Sequence, residues 1–164
     1  MKTISICILL LTVNMVQMIG QETNSGKRET IIAQLFDSIR NSEDDSIKHT
    51  LNKKIEALFA EELEEAGSFL NTFDSLKYVG KITSDDKKVR IYTWSYPLSD
   101  KTYGYGGFVQ RKISSKEYVI TPLRTPQQAY LPPTNKRLNS SDWYGALYYK
   151  AIHVKKGDYY VLLG

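Results

Sequence analysis

Val89-Arg90-Ile91-Tyr92-Thr93-Trp94-Ser95-Tyr96 and Tyr103-Gly104-Tyr105-Gly106-Gly107-Phe108-Val109 are two runs rich in β-branched and aromatic residues. Between them lies Pro97-Leu98-Ser99-Asp100-Lys101-Thr102, a polar connection opened by proline, so the whole predicts a β-hairpin. Pairing Tyr96 with Tyr103 sets Trp94 against Tyr105 and Tyr92 against Gly107. Side chains alternate across a strand, so Tyr92, Trp94, Tyr96, Tyr103 and Tyr105 are expected to form an aromatic ladder on one face. The opposite face then carries Val89, Ile91 and Phe108 at one end and only Thr93, Ser95, Gly104 and Gly106 at the other.

Upstream of the hairpin the apolar spacing becomes helical. Ile31, Ile32, Leu35, Phe36 and Ile39 predict an amphipathic helix from Arg28, broken at Asn41-Ser42. Ser42 followed by Asp45 reads as the next helix start, and Glu43, Asp44 and Asp45 suit the positive end of its dipole. That helix puts Ile47, Leu51, Ile55, Leu58, Phe59 and Leu63 on one stripe, and Gly67 is a natural stop. The run Glu61-Glu62-Leu63-Glu64-Glu65 invites a metal reading, but neighbouring helical glutamates point apart, so a solvated face is expected. Ser68 is expected to cap a short third helix that buries Phe69, Leu70, Phe73 and Leu76. Lys77–Thr83 predicts a strand, and Ser84-Asp85-Asp86-Lys87 a turn into the hairpin.

Downstream, Glu117–Thr121 predicts another strand. Residues 122–142 then hold four of the five prolines, a connection longer than compact domains usually carry. Trp143–Val154 and Asp158–Leu163 predict a last hairpin across Lys155-Lys156-Gly157, with Val154 facing Asp158. Apolar residues occur on both faces of that pair, which places it inside a sheet. The chain stops at Gly164 directly after an apolar strand, a pattern expected of a sequence that continues.

The 164 residues suffice for one domain with a genuine core. Residues 1–20 stand apart: Lys2, the apolar run Ile4–Val13 and the weak cleavage pattern Met18-Ile19-Gly20 predict a secretory signal peptide. Asn14 and Gln17 interrupt the run before it reaches the roughly 20 residues of a membrane span, so no transmembrane segment is expected in the mature chain. The single cysteine, Cys7, lies inside that leader, which leaves residues 21–164 without thiol chemistry or disulfides. Charge is split: residues 21–76 carry six basic and twelve acidic side chains, residues 77–164 fifteen and six, and Lys2 completes the net +4. Such asymmetry can announce a nucleic-acid or membrane surface. For an exported chain the plainer expectation is an acidic helical half beside a basic sheet half, with no nucleic-acid partner.

No motif fixes a chemistry. His49 and His153 are isolated and cannot form a two-histidine metal site within local spacing. Gly104-Tyr105-Gly106-Gly107 fails the dinucleotide fingerprint, because Val109 takes the place of the third glycine, and it lacks a phosphate-loop lysine. Asp85-Asp86 lacks the further oxygen ligands of a calcium loop. No cofactor and no metal are expected, and catalytic residues stay unassigned. The ligand-binding candidates are the ladder residues Tyr92, Trp94, Tyr96, Tyr103 and Tyr105, joined by Trp143 and Tyr144, because tyrosine and tryptophan offer large contact areas with little entropy to lose. The competing expectation is that this face packs beneath the helices.

The pattern Asp142-Trp143-Tyr144-Gly145-Ala146-Leu147-Tyr148-Tyr149-Lys150, closing in Tyr159-Tyr160-Val161-Leu162-Leu163-Gly164, resembles uncharacterised exported proteins of Bacteroidetes-type bacteria. Lys88–Trp94 is similar too, and the likeness covers roughly residues 70–164. It implies an exported, periplasmic or extracellular compartment and no activity. The expected fold is α+β: helices over 28–76 packed on an antiparallel, mostly meander sheet of about six strands over 77–164, in one domain. The leading function is a non-enzymatic binding or interaction module for a glycan or protein partner, using sheet aromatics and the proline-rich loop. The alternative is an envelope-associated hydrolase, for example acting on glycans, with carboxylates dispersed in the sequence.

Overall fold

The computed structural model describes residues 26–124, 139–141, 143, 145, 150–157 and 159–163. Residues 26–41 are helical (α1), and Ile32, Phe36 and Ile39 form the buried stripe, while Ile31 stays exposed. A second helix, α2, runs Asp45–Glu64. Its cap is Asp44 rather than Ser42: the carboxylate accepts from the amides of Ser46 at 2.7 Å and Ile47 at 3.3 Å, which a helix start otherwise leaves without partners. Gly67, at φ +93°, turns the chain away beyond the helix.

The expected third helix shrinks to a 3-10 turn, Ser68–Leu70, and Leu70 is 83% exposed instead of buried. Phe73 explains why no helix continues. It lies at φ +51°, outside the right-handed helical region, with its ring fully buried. Asn71 Oδ1 accepts from the Phe73 amide at 3.1 Å and Lys81 Nζ donates to the Phe73 carbonyl at 2.6 Å, so both sides of the strained residue are held.

Four antiparallel strands follow in meander order: β1 Gly80–Thr83, β2 Val89–Pro97, β3 Tyr103–Lys112 and β4 Tyr118–Pro122. Among the described residues, β5 Lys150–Val154 and β6 Tyr159–Leu163 pair only with each other. The protein is therefore α+β with its helices N-terminal, as expected. Its strands divide into a four-stranded sheet and a two-stranded ribbon rather than joining in one sheet.

The register of the central hairpin corrects the expected ladder. β2 and β3 pair Pro97 with Tyr103, Tyr96 with Gly104, Trp94 with Gly106 and Tyr92 with Phe108, one residue away from the expected alignment. A one-residue slip exchanges the two faces of one strand relative to the other. Tyr92, Trp94 and Tyr96 therefore point at the helices, and Tyr103 and Tyr105 point the opposite way. The physical reason is steric. A Cβ on Gly104 would fall inside the Tyr96 ring, and one on Gly106 inside the Trp94 indole, so each large ring lies across bare backbone. The last hairpin slips in the same way, with Val154 opposite Tyr159 rather than Asp158.

The main core lies between helices and sheet. Phe59 of α2 meets Phe73 and Tyr92 edge-on at 5.3 and 5.2 Å, and Phe36 of α1 meets Trp94 at 5.7 Å. A smaller core on the other face joins Val89, Ile91, Leu123, Trp143 and Ala151. Residues 1–20, where a signal peptide is expected, the prolines at 126, 132 and 133, and Tyr144 lie outside the described residues.

Candidate functional site

Six of the seven aromatic candidates are described, and the structure does not bring them together. Tyr92, Trp94 and Tyr96 are 0%, 1% and 4% exposed beneath the helices, so their rings offer no contact surface. Tyr105 and Trp143 meet on the outer face, ring centroids 6.0 Å apart at 75°. Gly145, at φ +82°, lies so close that a side chain there would strike the Tyr105 ring at 2.7 Å, which half-buries it. Tyr103 alone is largely open, at 55%.

Polar residues that the sequence did not single out organise the inner face. The buried line of α2 is Lys48, Asn52, Ile55, Phe59, Glu62 and Leu63, while Ile47 of the expected stripe is half exposed. The line is rotated because Asn52 has to meet a buried donor: the Trp94 indole N–H donates to Asn52 Oδ1 at 2.8 Å. Asn52 Nδ2 in turn donates to Glu56 Oε1 at 2.8 Å. Burial pushes the Glu56 carboxyl above its ordinary range, against the Asn52 hydrogen bond and the charges of Arg124 and Lys53. His49 Nδ1 and the Tyr96 hydroxyl share a hydrogen bond of 3.0 Å whose direction follows the imidazole tautomer. Burial first, then Glu56 and Asp45, push the Tyr96 hydroxyl up to about 12.

A second buried set surrounds Gln110. Its Oε1 accepts from the Tyr92 hydroxyl at 3.1 Å, and its Nε2 donates to the Leu63 carbonyl and to Ser68 Oγ, both at 2.8 Å. The expectation of a wholly solvated glutamate run fails at one position. Glu62 is 1% exposed and accepts from Arg28 Nη1 at 2.7 Å. That hydrogen bond, opposed by burial and helped by Glu62, Glu65 and Glu61 as charges, holds the guanidinium pKa up.

The hairpin tip is pinned to α2. Asp45 accepts from the Ser99 amide at 3.1 Å and from Ser99 Oγ, and Lys48 Nζ reaches it at 3.1 Å. The Ser99 hydroxyl and amide, with Lys48, hold the Asp45 carboxyl down to about 2 against a small burial effect. Tyr103 thus stands on a hairpin fixed at its end.

At the other end of the sheet the β5–β6 ribbon is latched to the β1–β2 turn. Tyr160 donates to Asp86 Oδ2 at 2.5 Å, and His153, stacked on Tyr160 at 4.8 Å, places Nδ1 3.5 Å from the same oxygen. Burial raises the Asp86 carboxyl, but hydrogen bonds from Ser84, Tyr160 and the Lys88 amide, with the His153 charge, outweigh it and hold it at about 2.

Among the described residues no group of three or more His, Cys, Asp or Glu is placed to hold a metal ion, and no helix is long and apolar enough to cross a membrane. Comparison of the chain with protein-family models, with curated proteins and with solved structures finds no match.

Proposed function

We propose that the mature chain is an exported, non-enzymatic binding module for a glycan or protein partner, and that Tyr103, with Tyr105 beside it, meets that partner. The observation that carries this reading is the division of the aromatic set. Tyr92, Trp94 and Tyr96 serve the core, whereas Tyr103 is presented at 55% exposure on a hairpin tied to α2 through Asp45 and Ser99. An aromatic held on a rigid element loses little entropy on binding. A glycan array and a protein-partner screen on the full chain test it. Tyr103→Ala is expected to weaken the wild-type hit at least about tenfold, the loss typical of a contact hot spot, with an unchanged melting temperature. Equal binding by Tyr103→Ala and wild type would refute the assignment.

The hydrolase reading keeps one observation on its side. Glu56 is half-buried, oriented by Asn52 and held toward its protonated form, as a general acid needs to be. Glycan hydrolysis that vanishes in Glu56→Gln while the fold persists would favour it over the binding module.

A further inference from the structure

We propose that the end of the sheet opposite the pinned hairpin is a docking face for an anionic lipid surface. Three turns meet there. The Lys112 amide donates to the Lys88 carbonyl at 2.8 Å, joining the β3–β4 turn to the β1–β2 turn. Tyr160 donates to Asp86, which brings the β5–β6 ribbon and its turn at Lys155–Gly157 to the same end. Chain order alone scatters these segments; the meander and the latch collect them.

Lysines outnumber acids there. Lys87, Lys88, Lys116, Lys155 and Lys156 are all exposed, and none forms an ion pair among the described residues. The facing acids are fewer. Asp85, Asp86 and Glu117 are exposed, and Asp86 is already engaged by Ser84, Tyr160 and His153. At the opposite end the β2–β3 turn carries one acid and one base, Asp100 and Lys101, and lies against Asp45. Part of the basic excess of residues 77–164 is thus gathered at this end, where five exposed lysines meet three exposed acids. Clustered lysines draw a protein to an anionic surface within about one Debye length, roughly 8 Å at physiological salt.

Ile113 selects lipid over a soluble polyanion. It lies in the β3–β4 turn, close to Lys112 and Lys116 in sequence, and is 48% exposed. An apolar side chain among lysines has nothing to gain from a hydrated polyanion, but it gains burial at the headgroup–acyl boundary of a bilayer. This face is separate from the Tyr103 surface, so either can fail without the other.

The test is vesicle co-sedimentation of the full chain. The apolar N-terminal run is common to every variant, so differences report the pole alone. Wild type is expected to prefer vesicles of equal parts phosphatidylglycerol and phosphatidylcholine over phosphatidylcholine alone, and to be released by added salt. Lys116→Gln with Lys156→Gln should weaken the anionic-vesicle binding by about 25-fold, roughly fivefold per lysine. Lys116→Arg with Lys156→Arg should restore it, and Ile113→Ser should lower vesicle binding while leaving heparin binding unchanged. Binding indifferent to phosphatidylglycerol, or to the two glutamine substitutions in variants with wild-type melting temperature, overturns the proposal. Heparin binding that tracks the lysines, with vesicle binding indifferent to Ile113, overturns it in favour of a soluble polyanion.

Discussion

The two faces of the four-stranded sheet are built from the same strands by different rules. On the inner face Tyr92, Trp94 and Tyr96 of β2 lie across Phe108, Gly106 and Gly104 of β3, and each polar tip has a partner in Gln110, Asn52 or His49. On the outer face Thr93, Ser95 and Tyr105 are covered less evenly, and the Trp143 indole N–H is buried with no partner among the described residues. The contrast teaches that ring size against glycine, rather than ring against ring, sets the register of this hairpin. Once the register is set, burial of the inner rings follows, and so does exposure of Tyr103.

The largest test of this contrast is to remove one ring from each face. Trp94→Ala is expected to lose about 3–5 kcal/mol in chemical denaturation, as for other buried large-to-small changes, because it empties the centre of the core and leaves Asn52 without its donor. Tyr105→Ala, on a half-buried ring, should lose clearly less. Equal losses would erase the distinction between the faces.

Adding one carbon to the hairpin sharpens it further. Gly106→Ala puts a methyl group where the Trp94 indole lies and should lose about 1–3 kcal/mol. Combining it with Trp94→Leu should give a loss smaller than the sum of the two, and strict additivity would show that the contact does not set the register.

The alkaline limb tests the buried tyrosines. Tyr96 is raised to about 12 from about 10, so the folded state favours its protonated form. That contribution is complete below pH 10 and is lost as pH rises through 12. Tyr96→Phe should flatten the decline in melting temperature across that interval.

The smallest effect is expected in acid. Asp45 and Asp86 are both held at about 2, below their ordinary 3.8. Depressed carboxyls stabilise the fold above pH 4 and cease to as pH falls through 2. Asp45→Asn should lower the neutral-pH melting temperature slightly and make its acid decline shallower. An unchanged slope would mean that the hairpin pin does not titrate.

Much of the fold was legible in the chain: the helical periodicity around Ile32 and Phe36, the hairpin of β-branched and aromatic residues, and the stop at Gly67 all occur as read. Face assignment was not, because period-two alternation is blind to a one-residue slip and the cue lay across strands, in which glycine faces which ring. The third helix failed because Phe73 carries a left-handed conformation that its side chain does not advertise. The roles of Asn52, Glu56 and Gln110 are not legible in the sequence for a related reason. A polar residue on a helix or strand looks solvent-facing until the buried donor or carbonyl that it satisfies is known.

The amide of Gln110 carries a consequence for how the molecule comes apart. Leu63 is in the last turn of α2, which has no basic residue of its own to quiet its carbonyls, and that carbonyl accepts from Ser68 Oγ at 2.7 Å and from Gln110 Nε2 of β3 at 2.8 Å. The end of the helix is thus tied, through Leu63 and Ser68 together, to a strand distant in sequence. Amide-exchange protection in the last turn of α2 should vanish together with that of β3, in a single cooperative opening.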